Sequence, residues 1–86
     1  MDEALERYYT DVVLAYRIAR TQGVRLDDEA RATFSRAAFR LADEFESRGR
    51  DYQAVHMLEL VVASDVPASV EAAKRMERIK RKGNFL

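Results

Sequence analysis

Residues 51–64 read DYQAVHMLELVVAS, and this stretch decides the fold. On a helical wheel the residues that can face solvent form one narrow stripe: Tyr52, His56, Glu59 and Ala63. Apolar residues fill the remaining arc, which is more than half of the circumference: Ala54, Val55, Met57, Leu58, Leu60, Val61 and Val62. A helix that is apolar nearly all round must be covered on several sides. We therefore predict that this helix is the central one and that its neighbours pack around it.

Three further helices are predicted from apolar residues that recur at helical spacing, over residues 2–21, 28–48 and 67–82. The first is expected to turn inward Leu5, Tyr8, Tyr9, Val12, Ala15, Tyr16 and Ala19. The second contributes Ala30, Phe34, Ala37, Ala38, Leu41 and Phe45, and the last contributes Ala68, Ala72, Met76 and Ile79. The predicted fold is all-α: residues 1–86 form one domain, a four-helix antiparallel bundle, with a short tail at residues 83–86.

The predicted helix ends follow from residues that favour starts and stops. Three glycines are expected to end helices: Gly23, Gly49 and Gly83. Asp27 and Asp28 offer side chains that can cap the second helix, and Pro67 suits the first turn of the fourth. The connection between the second and third helices is very short, which forces an antiparallel hairpin.

The composition argues against several classes of function. The chain has 15 Lys and Arg against 15 Asp and Glu, so its net charge gives no global argument for binding nucleic acid or an acidic membrane. It contains no Cys, which removes disulfides, thiol catalysis and zinc–thiolate sites. The N-terminus is acidic where a signal peptide would be basic, and no apolar run reaches the roughly 18 residues of a membrane span. We therefore expect a cytoplasmic protein with no membrane contact.

The second hairpin resembles a tetratricopeptide repeat, in which small and large apolar residues alternate on two antiparallel helices. The matching residues are Ala38, Leu41, Ala42 and Phe45 in the first helix and Ala54, Leu58 and Val61 in the second. Ala38 stands where the family has a bulky residue, and no second copy lies in register. Residues 75–80, RMERIK, are similar to the third helix of microtubule-interacting-and-transport domains. Either resemblance implies a helical platform that holds a partner's peptide or helix in a groove.

Two apolar features fall outside the predicted core. Leu14 and Ile18 lie four residues apart on the side of the first helix opposite its inward face, so they form one exposed apolar spot. Such a spot either contacts a partner chain or a second copy, or is ordinary surface. Phe39 lies opposite Leu41 on the second helix, where it either packs under helix 1 or helix 4 or contacts a partner.

The outer face of the fourth helix gathers basic residues: Lys74, Arg75, Arg78, Arg81 and Lys82. These side chains could hold an acidic peptide or phosphates. The alternative is a solvated face whose positive charges suit the C-terminal end of the helix dipole. No aromatic residue is interleaved with them, as single-strand binding would require, so an acidic peptide is preferred to nucleic acid.

His56 is the single histidine in the chain, with Glu59 three residues on. A metal site needs several ligands, and a catalytic histidine needs a group that orients its ring. We find no Ser/His/Asp arrangement, phosphate-binding loop or dinucleotide fingerprint in the sequence. We therefore expect no catalysis, cofactor, metal or small-molecule substrate.

Three functions remain open from the sequence. The first is a protein–protein interaction module that binds a peptide or helix through Leu14, Ile18 and Phe39. The second is a small nucleic-acid-associated protein that uses residues 74–82. The third is a self-assembling homodimeric subunit that buries the same apolar residues between two copies.

Overall fold

The computed structural model of the chain describes residues 1–64 and 66–83. It contains four helices: α1 (Glu3–Thr21), α2 (Asp28–Ser47), α3 (Asp51–Ala63) and α4 (Ser69–Gly83). These bounds confirm the all-α, four-helix prediction and differ from the predicted bounds by one or two residues. Of the predicted tail at residues 83–86, Gly83 belongs to α4, and residues 84–86 lie outside the described residues.

Two of the predicted glycine stops have the backbone geometry that requires glycine. Gly23 and Gly49 have φ angles of 77° and 74°, in the left-handed region that other residues avoid. After α1, the N–H of Val24 donates to the carbonyl of Ala19, 3.0 Å away, and the N–H of Gly23 donates to Arg20. The same pair of bonds follows α2, so both helices end in Schellman motifs. Gly83 differs from the prediction, because it is the last residue of α4 itself.

The helix starts are also set by particular residues. The carboxylates of Asp2 and Asp27 each accept a 2.8 Å hydrogen bond from a backbone N–H of the first turn, at Leu5 and Ala30. Each acid therefore satisfies a donor that has no partner within the helix. Pro67 does not open α4 as predicted. It lies in the turn before the helix, which the N–H of Ser69 closes on the carbonyl of Val66.

The helices stack in the order of the sequence. α1 packs against α2, α2 against α3, and α3 against α4. The described residues form a slab of 37 × 28 × 18 Å, in which these three pairs make the main helix–helix contacts. Its largest fully buried side chains come from three helices: Phe34, Leu41, Leu58, Val61 and Ile79.

The prediction for α3 is confirmed in its main point. Val55 and Leu58 retain only 5% and 0% of their accessible surface, because α2 and α4 cover the helix from two sides. Val62 is 38% exposed, so the covering is not complete on every side. α2 also lies between two neighbours, α1 and α3, so α3 shares the central position with it.

The inward face predicted for α1 is partly wrong. Tyr16 is buried and stacks on Phe34 with ring centroids 4.1 Å apart. Tyr8, however, is 57% exposed, and Ala15 is exposed as well. Val13, which the prediction omitted, is 5% exposed. Because α1 packs mainly against α2, only one flank of its apolar stripe is covered, and the other flank faces solvent.

Candidate protein-interaction surface

The predicted apolar spot lies on the free side of α1. Leu14 and Ile18 are 50% and 48% exposed, and neither side chain belongs to the hydrophobic core. They lie one helical turn apart, so the two side chains form a single patch. The structure therefore places them where a second molecule can reach them.

A groove runs between α1 and α2, and Leu14 and Ile18 are not among the residues that line it. Two cavities of about 460 and 520 Å³ open along it, and Val12 and Thr33 line both, so the two are continuous. We call this the α1–α2 groove. Its α1 wall is formed by Tyr8, Tyr9, Val12, Ala15, Tyr16 and Ala19. Its α2 wall is formed by Glu29, Ala30, Thr33, Phe34, Arg36, Ala37, Phe39, Arg40 and Asp43, and Arg75 of α4 lines the same end as Asp43.

Aromatic side chains line one end of the groove. The rings of Tyr8 and Tyr9 are tilted against each other with centroids 5.5 Å apart. Phe39 is half-buried on α2, and the guanidinium of Arg75 lies over its ring, 4.7 Å from the centroid. Phe39 thus packs on the α4 side, as one of its two predicted placements allowed, while it also lines the groove.

Arg36 and Arg40 line the same end of the groove, one helical turn apart on α2. Both residues are exposed. Arg36 donates a long 3.4 Å hydrogen bond to the hydroxyl of Thr33, and Arg40 lies 5.9 Å from the centroid of the Tyr9 ring. Among residues 1–64 and 66–83, neither guanidinium has a carboxylate within ion-pair distance. Their positive charge is therefore not neutralised within the described chain.

The basic face predicted on α4 has a different character. Arg75 lies 3.1 Å from a carboxylate oxygen of Asp43, and Arg78 lies 3.1 Å from Glu46. Further ion pairs join Lys82 to Glu46 and Asp51 and Arg81 to Glu77. Of the predicted basic residues, Lys74 alone has no carboxylate within ion-pair distance in the described part of the chain. This face is mainly a seam between α2 and α4.

The ion pairs of this seam shift the pKa values of the groups that form them. Hydrogen bonds from Arg78 and then Lys82 hold the pKa of Glu46 below its ordinary value of 4.5. The Glu46 carboxylate in turn raises the pKa of Arg78, chiefly through their hydrogen bonds. Glu44 has a lowered pKa for a related reason, because its carboxylate accepts a hydrogen bond from the N-terminal ammonium group.

His56 and Glu59 are both exposed on α3. In the part of the chain that the structure describes, no three His, Asp or Glu side chains come together as metal ligands. No helix in residues 1–64 and 66–83 has the length and apolar character that crossing a membrane demands.

Three residues of this surface were not predicted from the sequence. Tyr8 was placed in the core, and Arg36 and Arg40 were not singled out. The spacing of the two arginines was visible in the sequence as an i, i+4 pair. What the sequence did not show is that α1 leaves the groove open beside them.

A scan against protein-family models and searches of curated proteins and of solved structures found no match to this chain. The tetratricopeptide and microtubule-interacting-and-transport resemblances therefore rest on the residues alone.

Proposed function

We propose that this chain is a protein–protein interaction module that binds a helix of another protein on α1 and in the α1–α2 groove. The observation that carries the proposal is the exposure of α1, where Tyr8, Leu14 and Ile18 are each about half exposed beside an open groove. We further propose that the chain acts in the cytoplasm, without catalysis or a cofactor, as its composition led us to expect.

The order of the stack supports this proposal. In helical stacks the terminal helices need a polar outer face, because nothing packs on it. α4 meets this need: apart from Val70, its exposed side chains are mostly charged. α1, at the other end of the described stack, has an apolar patch and an apolar groove wall instead. A tetratricopeptide-like platform that receives one more helix beside α1 fits this asymmetry.

The shape of the surface favours a helix as the bound segment. The groove runs along α1 from Tyr8 to Ala19, which is about 16 Å at about 1.5 Å per residue. A helix of three turns fills that length, with apolar side chains at i, i+3 or i+4, and i+7 pointing into the groove. Leu14 and Ile18 do not line the groove, so we propose that they contact a part of the partner that extends over the exposed side of α1.

The test compares proteins retained by the wild-type chain with those retained by the variant Leu14→Glu/Ile18→Glu. We expect the variant to lose at least one specifically retained protein, because two carboxylates in the patch would have to be buried unpaired. Direct binding of that protein, once purified, should weaken about a hundredfold or more. Quantitative mass spectrometry of affinity pull-downs and then titration calorimetry provide the two measurements.

A matched control carries the same chemical change elsewhere. Val24 and Val70 are 51% and 66% exposed and lie outside the patch and the groove, so Val24→Glu/Val70→Glu should retain the same proteins as the wild type. Circular dichroism should show that both double variants remain helical. A partner list that is identical for the wild type and for Leu14→Glu/Ile18→Glu contradicts the proposal.

One charge pattern favours a second candidate, a homodimer. Asp11 lies three residues before Leu14 and Arg17 lies three residues after it, and both are exposed. If two α1 helices cross antiparallel at Leu14, Asp11 of each copy faces Arg17 of the other. Two opposite-charge pairs would then border the apolar contact, and such a pattern is self-complementary in a twofold interface.

Charge reversal distinguishes this candidate by sedimentation equilibrium. If the wild type dimerises, Asp11→Arg and Arg17→Asp should each weaken the dimer through like-charge contacts, and the double reversal should restore it. A wild-type mass that stays monomeric at every concentration contradicts the homodimer and leaves the α1 surface free for a different protein.

A further inference from the structure

We infer that the α1–α2 groove selects an amphipathic helix that carries acidic side chains at one end, and that Arg36 and Arg40 bind those carboxylates. This inference rests on the proposed function, because it names the chemistry of the segment that the groove receives. The sequence suggested that α4 binds an acidic partner. The present inference assigns that contact to α2 instead.

The first support is the contrast between these arginines and those of α4. The guanidinium groups of Arg75 and Arg78 already contact carboxylates of α2, so an incoming acid would have to displace an existing ion pair. Arg36 and Arg40 have no such contact in the described residues and project beside the groove. A carboxylate that reaches them gains charge-assisted hydrogen bonds without breaking an ion pair.

The second support is the spacing of the pair. Residues four apart on a helix lie one above the other, so both guanidinium groups can meet acidic residues one turn apart on a partner helix. Each guanidinium presents a planar set of donors that matches the two oxygens of a carboxylate. A helix bound in the groove would exclude water from these pairs, which strengthens them.

The third support is the difference in charge between the two ends of the groove: Asp43 shares the end of Arg36 and Arg40, but its carboxylate is already paired with Arg75, and the other end carries unbalanced acids. Asp27 and Glu29 line it there, and Arg36 follows Glu29 by about 10 Å along the α2 axis. A bound helix should therefore direct its carboxylates toward Arg36 and Arg40, and neutral or basic residues toward Asp27 and Glu29. This charge gradient along the groove determines which way the bound helix points and which of its ends is acidic.

The same gradient argues against a nucleic acid in the groove. A phosphate backbone is uniformly negative, and it would meet the carboxylates of Asp27 and Glu29 as well as the arginines. The groove floor between the two ends is apolar, with Val12, Ala15 and Ala30, which suits the side chains of a helix. The occupant is therefore a protein helix with a charged end.

The experiment selects binders from a displayed library of random peptides on a helical scaffold, with the purified wild-type chain as the target. We expect the selected peptides to be enriched in Asp and Glu near one end, compared with the input library. Individual peptides are then synthesised with a fluorophore, and their dissociation constants are measured by anisotropy against the wild type and against Arg36→Gln/Arg40→Gln. We expect the double variant to bind about tenfold more weakly or worse.

Two control variants locate the contact. Arg25→Gln/Arg50→Gln removes the same total charge from exposed arginines outside the groove, and it should bind like the wild type. Lys74→Gln/Arg81→Gln removes it from the exposed face of α4. If that variant, rather than the Arg36/Arg40 variant, loses binding, the acidic contact lies on α4 and our inference is wrong.

The remaining outcomes separate the inference from the proposed function. Selected peptides without acidic enrichment, or peptides that bind Arg36→Gln/Arg40→Gln as well as the wild type, overturn the inference. In that case binding that is still lost in Leu14→Glu/Ile18→Glu preserves the proposed function. If selection on the wild type enriches nothing above an unrelated helical protein, the proposed function fails, and this inference fails with it.

Discussion

Glu46 is the side chain that joins α2 to α4 most directly. Its carboxylate accepts hydrogen bonds from Arg78 at 3.1 Å and from Lys82 at 2.6 Å, and only 17% of its side chain is exposed. We predict that Glu46→Gln lowers the free energy of unfolding by about 0.5–1 kcal/mol, a small value because Arg78 is itself more than half exposed. Urea denaturation at neutral pH measures the change. Glu59→Gln, at an exposed site, is the control and should leave the stability within experimental error.

The lowered pKa of Glu46 also predicts how stability depends on pH. A carboxyl group whose pKa is lower in the folded state binds fewer protons there than in the unfolded chain, so its stabilisation is present above the ordinary value of 4.5. That stabilisation is lost as the pH falls through the folded-state pKa. We therefore expect the difference in stability between wild type and Glu46→Gln to shrink below about pH 4.5. A difference that stays constant down to about pH 2–3 would show that the ion pairs do not act through the charge of Glu46.

Individual residues also show where the sequence was informative and where it was not. The burial of Leu58 followed from the apolar surface of α3, because a helix of that kind has no face to leave in water. The exposure of Tyr8 did not follow, because a tyrosine on an apolar stripe suits either a core or a half-covered surface. The periodicity of α1 indicates which face is apolar. It does not indicate how much of that face a single neighbour covers.

Among the glycines at helix ends, Gly49 is needed for its backbone conformation, whereas Gly83 is not. Gly49 has a φ of 74°, and no atom lies within 4 Å of the point that a Cβ would occupy, so the cost of a side chain there is backbone strain alone. We predict that Gly49→Ala destabilises the chain by about 1 kcal/mol. Gly83 provides the control, because it is a helical residue at the end of α4, where alanine is tolerated at least as well as glycine. Chemical denaturation of both variants is the measurement. Equal effects would contradict the assigned role of the Schellman motif after α2.

The basic face of α4 shows that the pattern of a single helix does not predict its contacts with other helices. The sequence predicts correctly that the cations lie on one side of the helix, but it does not indicate that Asp43 and Glu46 of α2 lie opposite them. The structure brings the two faces together, so that Arg75 meets Asp43 and Arg78 meets Glu46. A helical wheel contains no information about which helix lies opposite. For that reason Arg75 and Arg78, which form ion pairs, and Arg36 and Arg40, which form none within the described residues, looked alike in the sequence.

At the scale of the whole molecule, the order of packing determines which surface is left for binding. Because each helix packs mainly on its neighbours in sequence, α2 and α3 are covered on two sides and α1 mainly on one, while α4 packs on α3 and is joined to α2 by the ion pairs of Arg75 and Arg78. The number of helices, their approximate bounds and the central place of α3 were predictable from periodicity, glycines and caps. The α1–α2 groove was not, since it arises from the angle and offset between two helices, which no local pattern encodes.

This order of packing also predicts how the molecule opens. α1 contributes only Val13 and Tyr16 to the buried set, although it is a longer helix than α3, which buries Ala54, Val55, Leu58 and Val61. Its remaining ties to the stack include the ion pair of Glu6 with Arg48 and the hydrogen bond that Arg20 donates to the carbonyl of Ser64. Stability within a protein varies with the local density of buried contacts. We therefore predict that the amides of α1 exchange with deuterium at least about tenfold faster than those of α3.

Hydrogen exchange measured by NMR at several low denaturant concentrations checks this prediction. If α1 opens as a unit while α2–α4 stay folded, its amides should share one opening free energy and one small dependence on denaturant, both below those of α3. Arg20→Gln should lower the α1 value further and leave the α3 value unchanged, because it removes the tie at the end of α1 nearest Ser64. Exchange from α1 and α3 with the same free energy would mean that the four helices unfold together. In that case α1 would be held as firmly as the core. Partner binding would then not act by completing a loosely held end of the stack.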